Sequence, residues 1–214
     1  MYIPEHFRMS DEDIQAFLTS VRGGNLVTVD ESGRPLATFL PWVVMDGRLI
    51  THMGTINPQS HHTGEALVVF MGADAYISDE WMTGGAAPTW DYETVHVYGR
   101  YHVHTDLGWI LDSWAGLLKR FSNRTLDDYD PAWLEIQSRS VVGVEVIITE
   151  IQAKSKLSQN RGESEVRTII DHLGDSCPCL ASRMTKVSLP HIIEREERVR
   201  RVRLNRAIAS YDRT

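Results

Sequence analysis

A series of short β-rich runs separated by turn signals constrains this fold more than any other feature. Residues 25–30, 36–45 and 48–53 are rich in apolar and β-branched side chains, and Ser-Gly-Arg-Pro at 32–35 and Asp-Gly at 46–47 interrupt them. Strands this short and this closely spaced are typical of an antiparallel meander. Further strands are predicted at residues 66–71, 75–78, 94–104 and 140–150.

Helical patterns are fewer. Apolar residues at helical spacing after Ser10 predict a first helix that ends near Gly23. Residues 107–121 predict a second helix, and Pro131 directly after Asp130 marks the start of a third. The whole pattern predicts a mainly β, α+β fold in which a small closed barrel carries added helices.

Charge and the ends of the sequence narrow the class of protein. The 214 residues carry a net charge of -7, which argues against the broad basic surface that non-specific nucleic-acid binding needs. The first residues lack the basic and apolar regions of a signal peptide, and no run approaches the length of a membrane span. We therefore expect a cytoplasmic protein that uses neither a membrane nor nucleic acid as partner.

The C-terminal segment differs from the rest of the chain. Residues 190–206 carry six arginines interleaved with Glu194, Glu196 and Glu197. Such a pattern predicts a solvated helix with ion pairs between neighbouring turns, and its thin apolar stripe could dock on a partner subunit. Cys177 and Cys179 precede it, too close together for a useful disulfide.

Histidines supply the main candidates for chemistry. In Asn-Pro-Gln-Ser-His-His-Thr-Gly, at 57–64, His61 and His62 follow a turn signal in a polar segment. On the run 94–104, alternation places His96, His102 and His104 on one strand face. That face indicates either a metal site or a polar surface turned to solvent or a cleft.

Five stretches, in order, resemble signature segments of the PaiB family, which is described as FMN-binding negative transcriptional regulators. They are MYIPEHFR, HMGTINPQ, ALVVFMGADAYISDEW, PTWDYETVHVYG and AKSKLSQNR. The resemblance implies a split β-barrel of the flavin-reductase type over residues 1–173 that forms a homodimer and holds a cofactor at the subunit interface. Residues 174–214 then form a C-terminal loop and a charged helical tail.

Two departures from the family pattern bear on the cofactor. Ser60, His61 and His62 stand where the family usually has Trp and a basic residue, and Thr83, Gly84 and Gly85 leave no cation where it usually has Lys. A flavin phosphate is normally held by Arg, Lys or backbone N–H groups, whereas a neutral imidazole is a common axial ligand of heme iron. The departures favour heme b over FMN.

Within this family the pattern is similar to that of the piperazate synthases, which are heme proteins. That resemblance implies cyclisation of an amino-acid substrate, N5-hydroxy-ornithine, to piperazic acid with formation of an N–N bond. It places His62, or His61 in its stead, as the iron ligand. If neither histidine ligates iron, His52 or the strand face with His96 and His102 is the next place to look. The remaining residues assigned to the cofactor or the substrate carboxylate are Arg100, Lys154, Lys156, Arg161 and Trp90.

Two alternatives of other classes stay open. One is an FMN-binding oxidoreductase or flavin carrier, and the other is a transcriptional regulator. The regulator has less physical support, because no helix-turn-helix pattern is found and glutamates partly neutralise the arginine-rich segment.

Overall fold

The computed structural model describes residues 1–82 and 87–211, with side chains described as far as residue 205. Thr83, Gly84 and Gly85, where the phosphate-binding lysine is predicted to be missing, lie outside the described residues, as does the side chain of Arg206. The strands are β1 Gly23–Val29, β2 Pro35–Pro41, β3 Val43–Met45, β4 Arg48–Gly54, β5 Gly64–Ile77, β6 Thr89–His104 and β7 Val141–Lys156. The α-helices are α1 Asp11–Ser20, α2 Leu107–Phe121, α3 Pro131–Ser138, α4 Glu163–Ser176, α5 Pro178–Arg183 and α6 Leu189–Tyr211.

All seven strands belong to one sheet, in the order β2-β1-β5-β6-β7-β4-β3. The hairpins β1–β2 and β3–β4 are antiparallel, and so are the pairings of β1 with β5 and of β4 with β7. The predicted mainly β fold with added helices is confirmed. No helix in residues 1–82 and 87–211 is both long and apolar enough to cross a membrane.

The chain divides into two compact units. The first, here called the sheet unit, comprises Ser10–Met71 and Thr94–Ala153. The second, here called the helical unit, comprises Met1–Met9, Gly72–Glu93 and Lys154–Thr214. Strands β5, β6 and β7 each begin in one unit and end in the other.

The sheet unit has the core that strand alternation predicts. Val95, Val97 and Tyr101 on β6 are almost inaccessible to solvent, whereas Arg100 and His102 on the opposite face are exposed. Each large apolar side chain buried in this way contributes about 1.5–3 kcal/mol. The two-faced strand predicted for residues 94–104 is therefore confirmed.

The helical unit has a core of its own, which joins the end of β5 to helices α4, α5 and α6. Leu173 before the predicted domain boundary and Leu180, Met184 and Ile192 after it belong to the same buried cluster. A π-helical turn, Met184–Ser188, links α5 to α6, so most of the described chain after residue 174 is helical. The boundary at 173/174 stays a prediction, but residues on both of its sides share one core.

Candidate functional site

An apolar cavity of about 450 Å³ lies in the sheet unit, beside β4, α2 and α3. Small-molecule and cofactor sites have volumes of this order and largely apolar walls. The lining residues are Pro41, His52, Trp114, Leu117, Leu118, Phe121, Ser122, Leu126, Tyr129, Trp133, Leu134, Gln137, Ser140 and Val141. Within the described chain, this lining includes no lysine or arginine.

Local sequence explains why α2 forms one wall. Asp106 caps the helix by accepting a hydrogen bond from the backbone N–H of Trp109 at 2.7 Å. From there, residues at spacings of three and four form one apolar stripe, which comprises Ile110, Trp114, Leu117, Leu118 and Phe121. The helix packs this stripe against β4 and the segment before it, so the aromatic side chains reach the cavity.

His52 supplies the imidazole in the cavity wall. Thr51 and Met53, its neighbours on β4, are buried on one face of the strand, and His52 lies on the other. Its ring meets the Trp114 indole edge to face, with centroids 5.8 Å apart. Burial lowers the pKa of His52, so the imidazole is neutral at physiological pH and can act as a ligand.

Two polar atoms of this wall have no hydrogen-bond partner among the described residues. They are Nδ1 of His52 and Nε1 of Trp114, and both are buried. A buried polar group left unpartnered costs about 1–3 kcal/mol. A bound molecule that engaged these nitrogens would recover that cost.

A cation lies close to this wall. The Arg124 guanidinium is 5.6 Å from the centroid of the Tyr129 ring, which lines the cavity and stacks on Trp133. Arg124 is exposed. It could hold an acidic group at the edge of a bound molecule.

The predicted histidine pair lies elsewhere in the sheet unit, on a short 3₁₀ turn, Pro58–His61. Asn57 caps the turn by accepting a hydrogen bond from the Gln59 N–H at 2.9 Å, as its Asn-Pro start predicts. Tyr101 on β6 holds this turn in place, because its hydroxyl donates a hydrogen bond to the Gln59 carbonyl at 2.8 Å. Burial raises the pKa of the Tyr101 hydroxyl, which stays protonated as this bond requires.

His61 and His62 differ in their surroundings. His61 is exposed, whereas the half-buried His62 has Nε2 at 3.2 Å from the carbonyl of Glu65 and its ring 5.4 Å from that of Tyr101. Both line a second cavity of about 650 Å³ together with Asp30 and Glu31. This second cavity shares no lining residue with the cavity of His52. The assignment of either histidine as iron ligand stays a prediction.

The other predicted site residues have partners of their own. Lys156 forms an ion pair with the buried Asp91 at 3.2 Å, and Arg161 pairs with Glu165 at 3.4 Å. Burial raises the pKa of Asp91, while Ser158 and Lys156 oppose that shift.

Two more predicted residues of the helical unit rest against aromatic or acidic neighbours. The Lys154 ammonium lies over the rings of Tyr92 and Phe7, and the Trp90 indole N–H donates to Asp74 at 2.9 Å. Arg100 belongs to the sheet unit and is exposed on β6. The structure brings His52 to the apolar cavity, and none of the other predicted residues lines that cavity.

Sequence reasoning missed Trp114, Arg124, Tyr129 and Trp133. The spacing along α2 would have placed Trp114 on the apolar stripe, and strand alternation would have placed His52 opposite Thr51 and Met53. No sequence signal indicates that the stripe and His52 meet, because that contact depends on how α2 packs on β4.

Solved structures share the fold at low sequence identity. A conserved hypothetical protein of Mycobacterium tuberculosis, Rv2991, has a TM-score of 0.58 at 16% identity, over 73% of this chain and 91% of that one. The FAD and heme binding protein of Mycobacterium smegmatis has a TM-score of 0.50 at 16% identity, over 71% of this chain and 74% of that one. These neighbours include flavin- and heme-binding proteins, and the split-barrel fold is confirmed.

Sequence comparison identifies the family. The chain is 36% identical over 189 residues to the Protease synthase and sporulation protein PAI 2 of Bacillus subtilis. The aligned region covers 81% of this chain and 89% of that relative. The family described as "Putative FMN-binding domain" matches residues 1–150. The chain therefore belongs to this family of FMN-binding split-barrel domains and is a PaiB homologue.

Proposed function

We propose that this chain is a heme-dependent enzyme that forms an N–N bond, and that the cavity beside His52 holds its heme b. The observation that carries the proposal is the buried, unpartnered Nδ1 of His52 in an apolar wall. A neutral imidazole in such a wall could ligate heme iron, and the aromatic side chains could stack on the faces of the macrocycle. We therefore favour His52 over His61 and His62 as the residue that would hold the iron.

The residues around the cavity divide the remaining work. Leu117, Phe121 and Trp133 would pack against the macrocycle, and the Arg124 guanidinium would be available to an acidic group at its edge. The lowered pKa of His52 keeps its ring free of a proton, which a metal ligand requires. Heme bound there would supply an iron that polarises the N-hydroxyl group of the substrate.

The reaction is an internal substitution on N5-hydroxy-ornithine. The α-amino nitrogen forms a bond to N5, the N–O bond breaks, and the oxygen leaves as water with two protons from the substrate. Reactant and products have the same oxidation level, so no external reductant or oxidant enters the balance. What supports this substrate is the resemblance to piperazate synthases together with a cavity suited to heme.

Product analysis tests the proposal. Heme-loaded protein should convert N5-hydroxy-L-ornithine to piperazic acid, detected by mass spectrometry as the loss of one water, and heme-free protein should not. His52→Ala should lose the activity, because the iron loses its ligand. Unchanged substrate after incubation with fully heme-loaded protein would reject the reaction.

A second candidate function is that of an FMN-binding oxidoreductase. Membership of the FMN-binding family favours it, and the flavocytochrome Anf3 of Azotobacter vinelandii shares the fold with a TM-score of 0.52. The apolar cavity suits a flavin ring, but a flavin phosphate needs a cation or several N–H donors, and the Arg124 guanidinium lies against one ring of the cavity wall. Tight FMN binding in calorimetry, without heme uptake, would put this function first.

We further propose a cytoplasmic homodimer, for which exposed aromatic side chains in the helical unit give the support. The ring centroids of Trp90 and Tyr76 lie 6.2 Å apart, and each side chain is about half exposed. Aromatic surface of this kind is enriched at subunit interfaces. Sedimentation at micromolar concentration should give twice the monomer mass, and a monomer would reject this assembly.

A further inference from the structure

The indole nitrogen of Trp114 is the second unpartnered polar atom in the wall of the His52 cavity. An indole N–H can only donate, so a partner for it must offer an acceptor atom. Its ring contacts the His52 ring, and no hydrogen bond joins the two among the described residues. The other α2 residues that line this wall, Leu117, Leu118 and Phe121, have apolar side chains.

We infer that Trp114 is a specificity-determining residue, whose indole N–H binds an oxygen at the edge of a planar aromatic molecule in the cavity. The inference rests on the cavity of the proposed function and adds how its occupant is recognised. Carbonyl, hydroxyl and carboxylate oxygens all accept from an indole N–H, so the ligand class is a planar aromatic molecule with an edge oxygen.

Burial of the nitrogen sets a condition on this contact. Nε1 of Trp114 is shielded from solvent, although the residue as a whole is half-buried. A ligand oxygen therefore reaches it only when the indole turns within the wall. His52 lies on the same wall with a nitrogen that is also buried and unpartnered among the described residues.

A pair of probes that differ by one hydroxyl isolates the contact. Heme-free protein is titrated by calorimetry with 1-naphthol and with naphthalene, and hemin is then added to displace them. Wild-type protein should bind 1-naphthol roughly three- to tenfold more tightly than naphthalene, the range expected for one hydrogen bond. Trp114→Phe keeps an aromatic ring, loses the donor and should bind both probes equally.

Trp133→Phe is the matched control, because Trp133 lines the same cavity but is 46% exposed. This variant should keep the preference for 1-naphthol. If Trp114→Phe keeps the preference as well, or if wild-type protein shows none, the inference is overturned.

A second measurement does not depend on the stability of any variant. In the ¹H–¹⁵N spectrum of wild-type protein, the Trp114 indole N–H signal should move downfield with 1-naphthol and far less with naphthalene. Equal shifts with both probes would overturn the inference. Failure of the proposed heme function has a different signature, namely hemin that neither binds nor displaces the probes while the naphthol preference persists.

Discussion

The imidazole of His52 and the indole of Trp114 meet at 75° with centroids 5.8 Å apart, and each ring keeps one buried nitrogen without a partner among the described residues. One side chain comes from strand β4 and the other from helix α2. Packing that only filled space would favour apolar side chains at both positions, because unpartnered polar atoms destabilise a fold. A bound molecule that engaged these two nitrogens would offset that cost.

The stability of the protein should depend on pH through His52. Burial lowers the pKa of His52 from its ordinary value of 6.5. Just below that pH, His52 is therefore protonated in the unfolded chain and still neutral in the folded chain. The free energy of unfolding should therefore fall as pH drops below about 6.5 and level off once it passes the lowered pKa.

Urea unfolding between about pH 7.5 and about pH 5.5 checks this, with His52→Gln as the comparison. The other titratable groups are common to both proteins, so the difference between them isolates His52. Wild-type protein should lose stability relative to the variant as the pH falls. A difference that stays constant over this range would show that His52 is not buried in its neutral form.

An ion pair in the helical unit should contribute strongly to stability. Arg183 donates two hydrogen bonds of 2.8 Å to Glu93, whose side chain is only 3% exposed, and Ser155 donates a third at 3.0 Å. Arg183→Met leaves the buried carboxylate without its cation and should cost about 3 kcal/mol.

The exposed pair of Arg198 and Glu194 supplies the control, because both side chains are 72% exposed. Arg198→Met should change the free energy of unfolding by less than about 1 kcal/mol. Guanidinium unfolding of both variants measures the contrast. Equal small effects would mean that Arg183 does not couple the C-terminal helices to the strand.

A glycine beside His52 should resist substitution. Gly143 on β7 pairs with His52 in the sheet, and a Cβ atom there would stand 2.2 Å from the Trp109 ring. The Trp109 ring is in turn stacked on the His104 ring, with centroids 4.1 Å apart, and this contact opposes movement of Trp109. Gly143→Ala should destabilise the protein by about 1–3 kcal/mol.

Gly116 provides the opposite expectation within α2. A Cβ atom at this position meets Val43 at 3.7 Å, which is ordinary contact, and alanine favours the helix. Gly116→Ala should raise the free energy of unfolding by roughly 0.5–1 kcal/mol. Thermal unfolding of both variants decides the matter, and a stable Gly143→Ala protein would argue against close packing of Trp109.

Local patterns predicted much of the fold because their physical cause is local. Alternation on 94–104 placed His102 on a polar face, where the structure exposes it, and the Asn57-Pro58 turn signal coincides with a turn. The site was harder to predict, because its cause is tertiary. The turn that carries His62 could be read from the sequence, whereas the contact of His52 with Trp114 forms only when α2 packs on β4.

The most direct test is a hemin titration followed by the Soret absorption band. It compares wild-type protein, His52→Ala and the double variant His61→Ala/His62→Ala, each checked for an intact unfolding transition. Wild-type protein and the double variant should bind hemin with the same spectrum, and His52→Ala should bind at least about tenfold more weakly with a shifted band. An unchanged spectrum in His52→Ala, together with loss of the band in the double variant, would contradict the account and move the iron ligand to the histidine turn.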